Sequence, residues 1–265
     1  MKLGFIGLGN MGGAILSGVI KKNVISPDDI SVSRLHPHKT DSDEFRRIEV
    51  FANNKELTQN SDCIVLAIKP NIIAQILDEI KEYLNGKFII SIAAGWSPEQ
   101  LEKKLPSDTR FICVMPNIPV SVGYGMSIIN TSGRFTENDL TLTKAIFESI
   151  GKISLASDNL FSKEGSLTGC GPAFVFEFIE ALCDAAVLNG IPKNTAVELT
   201  ANMVIGAAQM VLKTGQHPCV LKDQVCSPGG TTIEGINSLH HGGFHASLID
   251  ALNATIRKEA NLNKD

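Results

Sequence analysis

The chain has 265 residues, of which 43% are apolar, enough to bury a large core and to form two domains. Its formal net charge of −4 gives no electrostatic basis for binding nucleic acid. The six cysteines include no C-x-x-C pair, which is typical of buried thiols in a reducing compartment and predicts a cytoplasmic protein.

The N-terminus predicts a short strand that runs into a glycine-rich turn and then a helix. Gly7, Gly9 and Gly12 follow the strand Leu3–Ile6 with the spacing of the dinucleotide-binding fingerprint. The first glycine permits a tight turn, the second lets the backbone approach a pyrophosphate, and the third lets helix and strand pack closely. A glycine-rich turn without a ligand would share this spacing, but the position directly after a strand favours a nicotinamide cofactor.

Strand and helix patterns alternate through the first half of the chain, with helices predicted at 72–83 and 98–105. Near-continuous apolar strands of this kind predict a Rossmann domain over residues 1–157, with a doubly wound, mostly parallel sheet. Ligands bind such sheets at the carboxyl ends of the strands. The predicted strands are Leu3–Ile6, Ile30–Ser33, Cys63–Ala67, Phe88–Ile92, Phe111–Met115 and Met126–Ile129.

The end of the second strand bears on the choice of cofactor. An acidic residue there would bind the ribose 2′-hydroxyl of NAD and repel the 2′-phosphate of NADP. Ser33 and Arg34 stand at this position instead, and both side chains are able to donate to a phosphate. The sequence therefore favours NADPH over NADH, unless Arg34 is only a solvated loop residue.

The second half, residues 158–265, predicts an all-helical domain with helices at 172–189 and 193–214 and two more that begin at Gly230 and Phe244. Long apolar helix faces are typical of a subunit interface, although one internal core would give the same pattern. We expect none of these segments to span a membrane, because the most apolar candidate, 172–191, contains three carboxylates.

Glycines and hydroxyl residues are concentrated between Cys226 and Thr232, just before a predicted helix. Backbone N–H groups at a helix start bind anions well, and the hydroxyls of Ser227, Thr231 and Thr232 add donors, so this segment predicts a carboxylate site. The cysteines and the three histidines nearby lack the spacing of dedicated metal ligands, and no metal is expected.

Together these motifs resemble the pyrroline-5-carboxylate reductase family over nearly the whole chain. The most specific motif is the segment 221–233, which reads LKDQVCSPGGTTI. The supporting motifs are the segments 5–12, 67–70, 91–95, 115–119 and 167–174.

The resemblance implies NAD(P)H-dependent hydride transfer to the C=N carbon of 1-pyrroline-5-carboxylate, giving L-proline in the last step of proline biosynthesis. It implies a dimer or larger homo-oligomer, with active sites between the cofactor domain of one subunit and the helices of its partner. Thr232 would hydrogen-bond the ring nitrogen as the catalytic residue. Substrate-binding residues would be Gln224, Ser227, Gly229, Gly230, Thr231 and Thr232. Cofactor-binding residues would be Ile6, Gly7, Leu8, Gly9, Asn10, Met11, Ser33, Arg34, Asn54, Ala67, Ile68, Lys69, Pro70, Ala93 and Ala94.

Three residues depart from the family pattern: Cys113 replaces an arginine, Cys170 a serine and Phe174 a tyrosine. We expect these changes to adjust the activity rather than abolish it. A reductase of a related six-membered imine and a non-catalytic NADP-binding regulator remain alternatives. A 3-hydroxy acid dehydrogenase is another, but it needs a base, commonly a lysine, and the helix predicted from Pro172 has none in its first turns.

Overall fold

The computed structural model describes residues 1–33 and 45–262, so that Arg34 lies outside the described residues. Within these ranges the chain forms eight strands and ten α-helices, with short 3₁₀ helices between some of them. It divides into two compact units, Met1–Cys170 with Thr255–Asp265, and Gly171–Ala254.

The first unit is built on one eight-stranded sheet of order β3-β2-β1-β4-β5-β6-β7-β8. All neighbouring strands pair in parallel except the sixth and seventh, which confirms the predicted mostly parallel, doubly wound sheet. Each of the six predicted strands is present to within one residue at either end. The strands are β1 (Leu3–Ile6), β2 (Ile30–Ser33), β3 (Glu49–Phe51), β4 (Cys63–Leu66), β5 (Phe88–Ser91), β6 (Arg110–Met115), β7 (Gly125–Asn130) and β8 (Gly151–Ala156).

Both faces of the sheet are buried at its central strands β1, β2, β4 and β5, which explains their near-continuous apolar sequences. Successive side chains of a strand point to opposite faces. In β1, Leu3 and Phe5 therefore enter one hydrophobic cluster, whereas Ile6 enters the other. The same alternation divides β4, and all four of its residues are buried. A sheet covered on both faces positions its carboxyl edge rigidly.

Five α-helices lie between strands of the first unit, and side-chain caps fix where three of them begin. Asn53 accepts from the backbone N–H of Glu56, while Ser97 and Thr136 each form a reciprocal capping box. The helices are α1 (Asn10–Lys21), α2 (Asn54–Asn60), α3 (Ile73–Ile80), α4 (Pro98–Lys104) and α5 (Glu137–Glu148).

The helix predicted to begin at Pro172 is longer than the sequence indicates, and that predicted start is wrong. Helix α6 (Asp158–Leu188) has 31 residues and carries Pro172 in its interior. A proline there has no N–H to donate to the carbonyl of Thr168, four residues earlier. The side chain of Asn117 supplies the missing donor, since its Nδ2 lies 2.9 Å from that carbonyl oxygen. The helix therefore continues through the proline.

Helices form the second unit, and α7 exposes much apolar surface. In α7, Leu199, Ile205 and Leu212 are 59%, 60% and 76% exposed. By length and composition alone, α7 is long and apolar enough to cross a membrane, a property that the sequence analysis, with 172–191 as its most apolar segment, did not predict. The helices after α6 are α7 (Lys193–Thr214), α8 (Pro218–Val225), α9 (Thr231–His241) and α10 (Phe244–Leu262).

Candidate functional site

Most of the predicted cofactor residues meet at the carboxyl edge of the sheet. Strands β2, β1, β4 and β5 are consecutive neighbours and run parallel, so their last residues lie side by side. Ser33, Gly7 and Ala67 follow or end three of these strands. This edge is where open parallel sheets bind nucleotides.

The turn after β1 requires glycine at two positions. Gly7 has φ +92°, a conformation that residues with a side chain rarely adopt. A Cβ at Gly12 would lie 2.7 Å from the carbonyl oxygen of Gly7 and 2.9 Å from the Cβ of Ala67. The first turn of α1 can therefore approach β1 and β4 only without a side chain at position 12.

Gly9 is exposed and leaves open space at the start of α1. A Cβ at this position would meet nothing within 4 Å. No side chain caps the helix at Gly9, and its first turn contains no acidic residue. The partial positive charge of the helix start, together with N–H groups that point outward, fits the diphosphate of a dinucleotide.

Ser33 and Asn54, predicted from two different elements, are joined directly in the structure. The Ser33 hydroxyl donates to Oδ1 of Asn54, and Nδ2 of Asn54 donates to Oε2 of Glu79 at 3.1 Å. Glu79 lies on α3 and was not among the predicted residues. Its side chain reaches the site through the packing of α3 against α2, which the spacing of a single sequence does not reveal.

The remaining predicted cofactor residues follow β4 and β5. Ala67 donates its N–H to the carbonyl of Ile6 at 2.9 Å, which ties the two strand ends together. Trp96 donates from Nε1 to the carbonyl of Pro70 at 3.1 Å, so that the segments after β4 and β5 are also joined. Lys69 and Ala94 are exposed beside these contacts.

Cys113, the first departure from the family pattern, lies inside β6 and is 3% exposed. Burial, and after it the charge of Asp158, raises the pKa of its thiol to about 12. The thiol is therefore protonated at neutral pH and behaves as a small apolar side chain.

In the second unit, the predicted carboxylate segment forms a tight turn before α9. The N–H of Gly230 donates to the carbonyl of Ser227 at 3.0 Å, and Gly229 has φ +66°. With Pro228 before this glycine, the segment fits a type II β-turn, which needs a residue of positive φ at its third position. A Cβ at Gly230 would overlap the Ser227 hydroxyl. The two glycines are thus fixed by backbone conformation and by close approach.

The turn leads directly into the start of α9. Thr231 and Thr232 are its first two residues and are exposed, and no side chain caps the helix at Gly230. Gln224 lies near the end of α8, where its Nε2 donates to Oε1 of Gln216 at 3.1 Å. The unit therefore presents backbone N–H groups and hydroxyls together at one helix start, which suits a carboxylate.

Among residues 1–33 and 45–262, no cluster of three or more histidine, cysteine or acidic side chains could hold a metal ion. The rings of His240 and His245 lie 6.0 Å apart between centroids. All six cysteines are unpaired thiols.

Comparison with known proteins identifies relatives of both units. A family model described as pyrroline-5-carboxylate reductase dimerisation matches residues 158–262. A second, described as NADP oxidoreductase, coenzyme F420-dependent, matches residues 2–95. The match over residues 2–95 covers the sheet edge, and the match over residues 158–262 covers the segment 226–232, in the order expected from the sequence.

Similarity also extends over the full chain. The pyrroline-5-carboxylate reductase of Escherichia coli is 40% identical over 99% of this chain and 98% of its own length. That of Arabidopsis thaliana is 38% identical over 99% of this chain and 96% of its own length. A crystal structure of the Plasmodium falciparum pyrroline carboxylate reductase with NADP bound superposes with a TM-score of 0.90, at 34% identity, over 99% of this chain and 98% of that one.

Proposed function

The chain belongs to the pyrroline-5-carboxylate reductase family, and on that premise we propose that it reduces 1-pyrroline-5-carboxylate to L-proline with NAD(P)H. The observation that carries the proposal is that one chain combines the glycine turn after β1 with the Ser227-to-Thr232 turn before α9. A protein that bound only a nucleotide would have no use for the second of these.

The first unit is proposed to bind the cofactor along the carboxyl edge of its sheet. The start of α1, opened by Gly9, would hold the diphosphate, and Ser33 with Asn54 would line the adenosine ribose. The segments Ala67–Pro70 and Ala93–Ala94 would flank the nicotinamide end. When bound, the reduced nicotinamide supplies the hydride.

The second unit is proposed to bind the substrate by its carboxylate. The backbone N–H groups of Thr231 and Thr232 and the Ser227 hydroxyl would donate to the two carboxylate oxygens. Gln224 and Thr231 border the same helix start and would complete the pocket. Holding the carboxylate would orient the imine carbon toward the nicotinamide. Such orientation of two bound reactants lowers the activation barrier substantially.

Thr232 is proposed to assist protonation of the ring nitrogen. Hydride addition forms a C–H bond at the imine carbon and moves the electrons of the π bond to nitrogen, which must gain a proton. A hydroxyl that hydrogen-bonds this nitrogen stabilises the developing charge and passes on a proton that solvent replaces. Thr232 is exposed, so its hydroxyl can exchange with water. The step requires no metal.

The exposed apolar helices are proposed to be the subunit interface of a homo-oligomer. The family model for residues 158–262 describes dimerisation, and α7 exposes apolar side chains along its whole length. Burying this surface against a second copy removes it from water. A soluble, cytoplasmic location is proposed as well, because six unpaired thiols suit a reducing compartment.

The direct test is NADPH oxidation by the purified oligomer with 1-pyrroline-5-carboxylate, beside Thr232→Val and Thr232→Ser. Valine keeps the branched shape and loses the hydroxyl, so kcat/KM should fall about 100-fold, while serine should retain most of the activity. Ser238→Ala, also an exposed hydroxyl on α9, serves as the matched control and should match the wild type.

Other outcomes would redirect the assignment. Preference for the six-membered cyclic imine would indicate a related imine reductase. Oxidation of a 3-hydroxy acid with NADP would indicate a dehydrogenase. Cofactor binding in folded protein, without turnover of any imine, would indicate a non-catalytic regulator. Equal activity of Thr232→Val and the wild type would contradict the role given to Thr232.

A further inference from the structure

A chain of three side chains links the end of β2 to an acidic residue on a different element. The Ser33 hydroxyl donates to Oδ1 of Asn54, and Nδ2 of Asn54 donates to Oε2 of Glu79 at 3.1 Å. Ser33 is 1% exposed, whereas Asn54 and Glu79 are half-buried. Asn54 lies in the middle of this chain and is more accessible than Ser33 to a ligand at the strand end.

The carboxylate at one end sets the direction of every hydrogen bond in the chain. A carboxylate only accepts, so Asn54 must turn its NH₂ group toward Glu79 and its oxygen toward Ser33. The proton of the Ser33 hydroxyl must then point at Asn54. Ser33 has no second proton to offer, so in this arrangement it would not donate to a phosphate.

These directions make the site better suited to a ribose hydroxyl than to a phosphate. A 2′-hydroxyl can both donate and accept, whereas a phosphate only accepts and carries a charge of about −2. Glu79 adds a like charge behind Asn54. Rossmann domains that use NAD usually place such an acid at the end of the second strand. Here β2 ends in Ser33, and the acid comes from α3.

We propose that Glu79 is a specificity-determining residue that acts through Asn54, lowers the preference for the 2′-phosphorylated cofactor and keeps NADH usable. Glu79 would act through the Asn54 amide, to which it is hydrogen-bonded, so it is a positioning residue. The inference rests on the proposed function, since it assumes that the carboxyl edge of the sheet binds NAD(P)H.

The test measures binding of two adenine nucleotides that lack nicotinamide, so it does not depend on turnover. Titration calorimetry of the purified oligomer compares 2′,5′-ADP with 5′-AMP, which differ only in the 2′-phosphate. Glu79→Gln is nearly isosteric and removes the charge that lies behind Asn54. The ratio of the two affinities should rise about tenfold in favour of 2′,5′-ADP, and the rise should shrink at high salt.

Two further variants sharpen the result. Glu82→Gln removes the same charge from an exposed position three residues away, and its affinity ratio should match the wild type. Ser33→Ala should lower both affinities in proportion, because the Ser33 proton is directed at Asn54. A selective loss of 2′,5′-ADP binding in Ser33→Ala would show that Ser33 donates to the phosphate and would overturn the proposal.

The remaining outcomes separate this proposal from the function itself. If the wild type binds both nucleotides and Glu79→Gln changes their ratio less than twofold, the role of Glu79 is refuted while the reductase assignment stands. The same refutation follows if Glu82→Gln shifts the ratio as far as Glu79→Gln. If the wild type binds neither nucleotide, the cofactor function and the inference fail together.

Discussion

Replacing Asn117 with alanine is expected to destabilise the protein, because this side chain serves two backbone groups at once. Its Nδ2 donates to the carbonyl of Thr168 at 2.9 Å, and its Oδ1 accepts from the N–H of Met126 at 2.8 Å. Asn117 is 8% exposed, so water replaces these partners poorly. With about 1–2 kcal/mol for each group left unpaired, the free energy of unfolding should fall by about 2–4 kcal/mol.

The reason for one of these bonds can be tested separately. The Thr168 carbonyl lacks its helical donor only because residue 172 is proline. Pro172→Ala restores that N–H, so loss of Asn117 should cost about 1–2 kcal/mol less in the Pro172→Ala background than in the wild type. The bond to Met126 is unaffected by this change and supplies the remaining cost.

A double-mutant cycle measures this difference directly. Urea unfolding, followed by far-UV circular dichroism at one fixed protein concentration, gives the free energy for the wild type, Asn117→Ala, Pro172→Ala and the double variant. Additive effects, with a coupling energy below about 0.5 kcal/mol, would show that Asn117 does not compensate for the proline. A coupling of the opposite sign would refute the explanation as well.

Three further predictions concern close packing and burial. Gly12→Ala should destabilise the protein by about 1–3 kcal/mol and weaken NADP⁺ binding in calorimetry, whereas Gly13→Ala, with open space around its Cβ, should do neither. Gly230→Ala should raise the KM for 1-pyrroline-5-carboxylate about tenfold by displacing the Ser227 hydroxyl. Gly235→Ala, on α9 with open space around its Cβ, should leave the KM unchanged. Equal KM values for Gly230→Ala and the wild type would argue against the carboxylate site. The pKa of Cys113 is raised to about 12 in the folded state. Just above pH 9, therefore, only the unfolded protein loses the thiol proton. The free energy of unfolding should fall in this pH range by up to about 1.4 kcal/mol per pH unit. Urea unfolding at pH 8 and 10.5 should show a smaller fall in the free energy of unfolding for Cys113→Ala than for the wild type. An equal fall in both proteins would contradict the raised pKa of Cys113.

The sequence was sufficient to predict the elements whose signal is local. Apolar runs predicted six strands to within a residue, because these six strands contribute buried residues to the hydrophobic clusters on both faces of the sheet. β3 and β8 were missed for the opposite reason. β3 has only three residues, of which Glu49 and Val50 are exposed, and most residues of β8 are only partly buried. Strands at the two ends of a sheet carry a weaker hydrophobic pattern.

The candidate site likewise contains residues that local motifs predict and a residue that only tertiary packing brings there. The glycines at 7, 12, 229 and 230 follow from motifs, and the structure gives a conformational or steric reason for each. Glu79 could not be identified, because it meets Asn54 across 25 residues through the packing of two helices. The absence of an acid at the end of β2 favoured NADPH by a rule that considers one strand end only. That rule does not consider an acidic residue from another element, such as Glu79 on α3.

Two asparagines, Asn117 and Asn54, make the contacts that the sequence analysis did not predict. The chemistry of the side-chain amide explains why asparagine occupies both positions. Asn117 donates to a carbonyl that a proline has deprived of its donor and accepts from a strand N–H. Asn54 donates to a carboxylate and accepts from a hydroxyl. An aspartate at either position would set an acceptor against the Thr168 carbonyl or the Glu79 carboxylate, and an alanine would serve neither partner. A short side chain that offers a donor and an acceptor together is needed where two elements present opposite unmet groups. Such a requirement arises from tertiary packing. The hydrophobic periodicities of strands and helices, two and 3.6 residues, therefore do not reveal it.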